Sequence, residues 1–400
     1  MRCRSEGSRP IEYRIRGSNF YKFLGAHKAP NVTFRVFAET RITLNALRIL
    51  ILKLGAIGDI IHTLPVLPAI RRRYPEAVVS WVAEKRSAEI LRENPLIDNL
   101  IEVDTRSMRG LKAVENVLFE GSKQLKNLRQ FEFDIAVDFQ GLLKSAVIAK
   151  LSGAKVRWGF TRLDLREPAS RVFYTNSVKL PAKTHVIRQN LALIEGALGL
   201  EPGNESPEFP ISTGEADRTE AGLIAERAGG EFAILNPAGG WVTKLWHPEK
   251  YGRLADMLWD AFGMTSVVVT GPNESSLASE VLSHSQSGKT LFAQPSLKGF
   301  HELAKRARVY VGGDTGPTHI ALAAGAPIVG IFGPTEWWRN GSLDPDDISV
   351  ERFDIGCRVD CHRRTCSNWI CMDIAPEAVF EAVKARLAKT AGLEATRAGN

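Results

Sequence analysis

Four hundred residues, 44% hydrophobic and 24% charged, are long enough for two ordinary domains and carry the composition of a globular protein, which sets aside disordered and fibrous classes. The uncharged apolar run 320–332 falls short of the roughly 20 residues a bilayer-spanning helix needs, and Gly325 and Pro327 interrupt it. Of the net charge of +7, most lies in residues 1–46: Arg2, Arg4, Arg9, Arg14, Arg16, Lys22, Lys28, Arg35 and Arg41 stand against Glu6, Glu12 and Glu39, so the remaining chain is close to neutral and its charge does not argue for nucleic-acid binding.

Residues 1–46 have no continuous apolar core, so they do not read as a secretory signal; a poorly ordered, dispensable arm is expected. The run 47–54 reads as a buried parallel strand, followed by Gly55-Ala56-Ile57-Gly58-Asp59 and a helix over 60–74 that stops before Pro75. A strand over 78–82, a helix over 83–93 and a strand over 99–103 come next. A basic loop with Arg106, Arg109 and Lys112 leads into a helix to about residue 130. Strand 133–138, helix 142–151 and strand 156–159 complete the first series, which predicts a doubly wound α/β domain. The stretch 161–174 is polar and arginine-rich, 185–198 has helical spacing, and the proline- and glycine-rich 201–216 reads as a linker.

A second series follows: helix 217–228, strand 232–236, a loop with Gly239, Gly240 and Lys244, helix 248–262 opening on Pro248, strand 266–270, a short strand at 291–292 and helix 300–306. The stretch 309–335, VYVGGDTGPTHIALAAGAPIVGIFGPT, reads as strand, glycine-rich turn, helix and strand. An amphipathic helix over 376–389 ends the fold. The expected domains are 47–200 and 217–374, with a C-terminal helical segment over 375–392.

Four groups of residues could carry chemistry. Lys53, Gly55, Gly58 and Asp59 lie at the carboxyl end of the first strand, where doubly wound sheets collect ligands; Asp59 is either a helix N-cap or a general base. The glycine spacing there is not a dinucleotide fingerprint, and no P-loop occurs in the chain. Gly239 and Gly240 permit close backbone approach, and Lys244 is either a solvated lysine or a positive charge for a diphosphate. Asp314, Thr315 and Gly316 form a turn whose N–H groups suit an anion, with His319 one helical turn further on the same face. Arg106, Arg109, Lys112, Lys144, Arg162 and Arg166 are either a solvated face or contacts to an acidic acceptor. Asp344-Pro345-Asp346-Asp347 reads as a polar turn. Cys357, Cys361, Cys366 and Cys371, spaced C-x3-C-x4-C-x4-C, lack the tight C-x2-C of zinc sites and read as reduced or partly paired thiols, as Cys-poor chains of reducing compartments show.

The segments KLGAIGDIIHTLPVLPAIRRRYP, DFQGLLKSAVIAKLSGA, REPASRVFY, NPAGGWVTKLWHPEKY and GGDTGPTHIALAAGAPIVGIFGPT together resemble the lipopolysaccharide heptosyltransferases, glycosyltransferase family 9, collinearly over about residues 47–390. The first-half motifs are similar to heptosyltransferase I; the NPAGGWVTKLW loop and the cysteines are also similar to the heptosyltransferase II branch. The resemblance implies a GT-B fold of two facing Rossmann-like domains and inverting transfer of L-glycero-D-manno-heptose from ADP-heptose to a Kdo-lipid A acceptor. It implies neither cofactor nor metal, a monomer, no nucleic-acid partner, and a cytoplasmic site at the inner face of the inner membrane. By motif position it implies Asp59 as catalytic base and Gly239, Gly240, Lys244, Glu274, Asp314, Thr315, Gly316 and His319 on the donor. Lys53, Arg106, Arg109, Lys144 and Arg166 are expected on the acceptor. Where the family often has Ser or Thr before Gly-Asp, this chain has Gly55-Ala56-Ile57. The rivals are a family member with another sugar donor and a non-catalytic sugar-nucleotide binder, which would not need Asp59.

Overall fold

The computed structural model describes residues 46–104, 128–203, 206–357 and 361–398, and these form one compact unit. The expected N-terminal arm and the loop carrying Arg106, Arg109 and Lys112 lie outside the described residues. The chain enters through β1 (Arg48–Leu52), continues into α1 (Ile57–Ile61) and α2 (Val66–Arg73), and returns as β2 (Val78–Glu84). A single expected helix over 60–74 is therefore two. Pro65 is the reason: it has no N–H to continue the ladder, and after it Val66 and Leu67 make three-residue-back bonds to Thr63 and Leu64. The expected helix 83–93 is also shorter, because β2 runs on to Glu84 and leaves only α3 (Lys85–Ala88) and one 3-10 turn (Glu89–Leu91).

β3 (Asn99–Val103), β4 (Ile135–Asp138), α4 (Leu143–Leu151), β5 (Val156–Phe160), a 3-10 turn (Pro168–Phe173), β6 (Asn176–Val178) and α5 (Val186–Leu198) complete the first half. The second half runs α6 (Glu215–Ala228), β7 (Phe232–Asn236), α7 (Pro248–Phe262), β8 (Thr265–Val269), α8 (Ser275–His284), β9 (Thr290–Ala293) and α9 (Leu297–Ala304). It ends with β10 (Val309–Gly313), α10 (Gly316–Ala323), β11 (Ile328–Phe332), α11 (Trp337–Asn340), β12 (Ile348–Glu351) and α12 (Pro376–Ala398). Sequence patterning missed β6, α8, α11 and β12. These are short or edge elements, and serine-rich α8 has few apolar positions to mark it.

Both sheets are parallel and six-stranded, ordered β3-β2-β1-β4-β5-β6 and β12-β11-β10-β7-β8-β9. Alternate residues serve different cores. Ile49 and Ile51 share a cluster with Phe232 and Ile234 of the other sheet, whereas Leu50 and Leu52 turn to a separate cluster with Ala136 and Ile148. Ala233 and Leu235 join a third cluster, onto which α12 places Val379 and Val383. Each such aliphatic side chain contributes about 1.5–3 kcal/mol of burial, so the strands are fixed from both faces.

The segment between the halves is anchored. Asn94 donates its amide to Pro210 O at 2.7 Å, Thr213 donates to Glu302 Oε1 at 2.6 Å, and Phe209 and Ile211 rest against the shared core. The turn read at Asp344 to Asp347 is a turn, and Asp347 closes it by accepting from Ile328 N at 2.8 Å and from Arg386 Nε at 2.8 Å.

Candidate active site

In each sheet the chain winds first to one side and then to the other, so a crevice opens at the carboxyl ends of the two central strands. In the first sheet these are β1 and β4; in the second they are β7 and β10. The loops leaving these four strands hold Asp59, Gln140, Lys244 and Asp314.

On the first sheet, Gly55 has φ +152, open to glycine, and a Cβ there would sit 2.9 Å from Ser87 Oγ. Gln140 Oε1 accepts from Leu54 N at 3.0 Å and Gly55 N at 3.3 Å, tying the loop after β1 to the loop after β4. Gln140 is itself set by Asp138, which is fully buried and accepts from Gln140 N, Gly141 N, Ser145 Oγ and Tyr174 Oη at 2.7–3.2 Å. Burial pushes the Asp138 carboxyl up, and the four donors pull against it. Asp59 lies in the first turn of α1 and is half-buried. Its Oδ2 accepts from Ala56 N at 3.1 Å, and among the described residues nothing binds Oδ1. One oxygen thus fixes the side chain and the other is available to take a proton.

The basic residues expected at the acceptor separate into three groups. Lys53 is only 5% exposed and donates to Phe139 O at 3.0 Å, so it braces the two loops. Its partner lies 86 residues on, in the loop after β4, which no local pattern announces. Lys144 pairs with Glu84 at 2.8 Å, and Glu84 also holds Arg86 at 3.0 Å. Arg162 and Arg166 are exposed.

On the second sheet, Lys244 Nζ meets Asp314 Oδ2 at 2.5 Å and Asp314 O at 3.0 Å, and lies 4.4 Å from the Trp241 ring centre. Asp314 Oδ1 receives His319 Nε2 at 3.2 Å and Asn340 Nδ2 at 2.6 Å. Burial pushes the Asp314 carboxyl up, but the His319 hydrogen bond and the Lys244 ammonium outweigh it and hold the group well below the usual carboxylate range. Asp314 is therefore a fixed negative charge. Thr315 is the N-cap of α10 in extended geometry, and Thr318 Oγ1 bonds Gly313 O beneath the turn. A Cβ on Gly239 would crowd Leu245 and Thr315 at 3.0 and 3.3 Å, whereas Gly240 faces open space. Glu274 closes its own turn by accepting from Gly271 N at 2.9 Å.

The two halves meet at this place. A Cβ on Gly58 would lie 2.4 Å from His319 Cδ2, and one on Gly316 would lie 3.6 Å from Ile57 Cβ. The neighbours of Asp59 on α1 thus touch the turn that carries Asp314. His62, after α1, stacks edge-on to His319 with ring centres 4.2 Å apart. His185, the N-cap of α5, reaches Gly341 O at 3.1 Å. The sequence reading missed His62, His185, Gln140 and Asn340. Asn340 had no motif, Gln140 stood inside the DFQGLLKS segment without a role of its own, and HTLP after α1 looked like ordinary helix. Trp246, two residues after Lys244, is a core residue that donates to Ile374 O at 2.9 Å. The four cysteines of the late cluster are free thiols.

Two doubly wound units that join their switch-point crevices, with a half-free carboxylate on one side and a lysine and helix N-terminus on the other, give the two-domain α/β architecture of the GT-B fold. The description of glycosyltransferase family 9 (heptosyltransferase) matches residues 122–370, and the chain belongs to that family. It is 28% identical to lipopolysaccharide heptosyltransferase 1 of Pseudomonas aeruginosa, over 80% of this chain and 88% of that protein. Two solved structures share its fold. A family 9 glycosyltransferase from Veillonella parvula aligns with a TM-score of 0.72 at 21% identity, covering 86% of this chain and 98% of that one. The heptosyltransferase WaaC of E. coli with ADP aligns with a TM-score of 0.68 at 22% identity, covering 85% and 100%.

Proposed function

We propose that the chain moves L-glycero-D-manno-heptose from ADP-heptose to the Kdo-lipid A inner core of lipopolysaccharide, as the first heptose addition, with inversion. The observation that supports this best is the contact of Gly58 with His319, which brings the helix of Asp59 against the turn of Asp314. Asp59 Oδ1 takes the proton of the acceptor hydroxyl as that oxygen attacks the anomeric carbon; the bond to the ADP oxygen breaks from the opposite face. Negative charge grows on the departing diphosphate. Lys244 and the N–H groups at the start of α10 answer it, which is stabilisation at the point where charge develops. With positive charge supplied this way, the transfer is read as metal-independent. The relative named for the first heptosyltransferase and the solved relative bearing ADP support the donor and the step. Because the acceptor is a lipid, the monomer would work at the inner face of the inner membrane; none of the described helices is long and apolar enough to cross a membrane.

Asp59→Asn tests the central role. Loss of a general base lowers the rate by about 10²–10⁴-fold, while affinity for ADP should hold, because Lys244 and α10 are untouched. The assay is mass detection of heptose added to Kdo-lipid A, beside the same acceptor already bearing one heptose. Full turnover by the variant would remove Asp59 as the base; addition only to the heptosylated acceptor would reassign the step.

A further inference from the structure

We propose that His62 is a positioning residue for the transfer: while uncharged, its ring seats His319 and holds the helix that carries Asp59 against the donor turn. The inference rests on the reading of Asp59 and Lys244 given above, and adds a residue and a condition to it.

His62 follows Asp59 by three residues and caps the C-terminus of α1. Its ring is 3% exposed and lies 4.2 Å from that of His319 and 6.1 Å from that of His185. His319 in turn holds Asp314, and Asp314 holds Lys244. A line of side chains therefore runs from the helix of the base to the lysine of the donor side. Its middle joint is made by ring packing alone: among the described residues, His62 Nε2 and His319 Nδ1 have no hydrogen-bond partner. A hydrocarbon ring would fill that joint equally well. What imidazole adds is the capacity to take a proton.

The surroundings set the sign. His62 faces His319 from α10, His185 from the start of α5, Asp314 from the turn after β10 and Lys53 from the end of β1. Burial, then the His319 and His185 rings, drive the His62 imidazole well below its ordinary value; Asp314 acts the other way, and Lys53 adds to the fall. His185 is pushed down to about 4, chiefly by burial. Its Nδ1 already accepts from Ile187 N at 3.2 Å, so a proton there would break the cap of α5. An opened seam gives these imidazoles their solution value of about 6.5. The opened form then binds protons that the closed form does not. Closure is at full strength above that value and weakens as pH falls below it, towards the depressed value of the closed state.

Two readouts test this on the full chain. The first is hydrogen exchange of residues 57–61 and 316–323, corrected for intrinsic rate, between about pH 7.5 and about pH 5.5, the range in which an exposed histidine titrates. The second is the pH profile of kcat and donor KM. In the wild type, acid should deprotect both helices together and lower kcat/KM, since the opened seam loosens both the helix of Asp59 and the donor turn. His62→Phe keeps a ring and loses the proton, so the acid loss of protection should move down by about one pH unit. His62→Ala removes the ring and should lower kcat about tenfold or more, a loss His62→Phe recovers in part. His62→Gln, smaller and uncharged, serves if the phenylalanine does not fold. Equal acid opening in wild type and in the uncharged variant, or none in the wild type, overturns the proposal. Absence of transfer with the expected exchange pattern would instead overturn the heptose reading and leave the seam standing.

Discussion

Asp314 shows how far one carboxylate can be committed. It is almost wholly buried, and three donors from separate parts of the chain, Lys244, His319 and Asn340, converge on its side chain. Lys244 has a double role under this arrangement, because the ammonium that would meet the diphosphate also neutralises Asp314. Lys244→Ala should therefore do two things at once. Breaking a buried pair costs about 3–5 kcal/mol; with Lys244 14% exposed and two donors left on Asp314, a loss of about 1–3 kcal/mol is expected. ADP affinity should fall about tenfold or more, which is about 1.4 kcal/mol of lost attraction. Urea midpoints and ADP titration read the two effects separately. An affinity loss without a stability loss would mean that the Lys244–Asp314 contact contributes nothing to the fold. The sequence made Lys244, Asp314 and His319 visible, because glycines and polar side chains crowd the ends of apolar strands. Their mutual pairing was not visible, since Lys244 and Asp314 are 70 residues apart and Asn340 ends a four-residue helix with no periodicity. The tie of Lys53 to Phe139 O was hidden for the same reason: whether a lysine at a strand end faces solvent or a carbonyl depends on the neighbouring strand.

Glycine inside a helix costs about 1 kcal/mol against alanine, so Gly58 in α1 needs a reason, and His319 gives one. The ring edge occupies the place where a Cβ would stand. The backbone of Gly58 is not in the left-handed region, so alanine is excluded by the neighbour and not by its own φ. Gly58→Ala should therefore reverse its propensity gain and destabilise by about 1–3 kcal/mol through overpacking. It should also lower kcat more than it raises donor KM, since it wedges α1 away from α10 beside Asp59. Calorimetry with steady-state kinetics checks both; a variant more stable than the wild type, at full kcat, would show that the contact yields without effect. The same short helix shows what sequence reading handles poorly. Apolar spacing continues through residues 60–70, and periodicity alone carries one helix across Pro65. Pro65 cannot bond back to Ile61, so α1 does not run on into α2, and His62 closes α1 as its C-cap.

For the molecule as a whole, alternation of apolar strands and amphipathic helices was enough to predict two doubly wound halves. β7, α7 and the turn of β10 into α10 were legible nearly to the residue, because continuous buried strands leave a plain signature. Strand order was not legible, and with it the fact that the candidate loops occupy both switch points. Also hidden was the surface of the connection between β5 and β6, where Leu163 is 93% and Val172 80% exposed and Arg162 and Arg166 are exposed beside them. Leu143, at the start of α4, is bared on the same rim and held there by Glu167, which accepts from Leu143 N at 2.7 Å. Bare aliphatic tips among arginines suit an anionic lipid surface, where each Arg near the headgroups adds about 1 kcal/mol and an inserted aliphatic side chain adds a similar amount per few methylenes. The lipid acceptor would then be met at the surface that delivers it. Leu163→Ser with Val172→Ser should weaken sedimentation with anionic phospholipid vesicles about tenfold; raised salt should weaken it further through the arginines. Turnover on a water-soluble, delipidated acceptor should be unaffected, since both side chains are bared to solvent. Loss of turnover on the soluble acceptor would place the stretch at the sugar itself, and unchanged vesicle binding would move the membrane face elsewhere on the molecule.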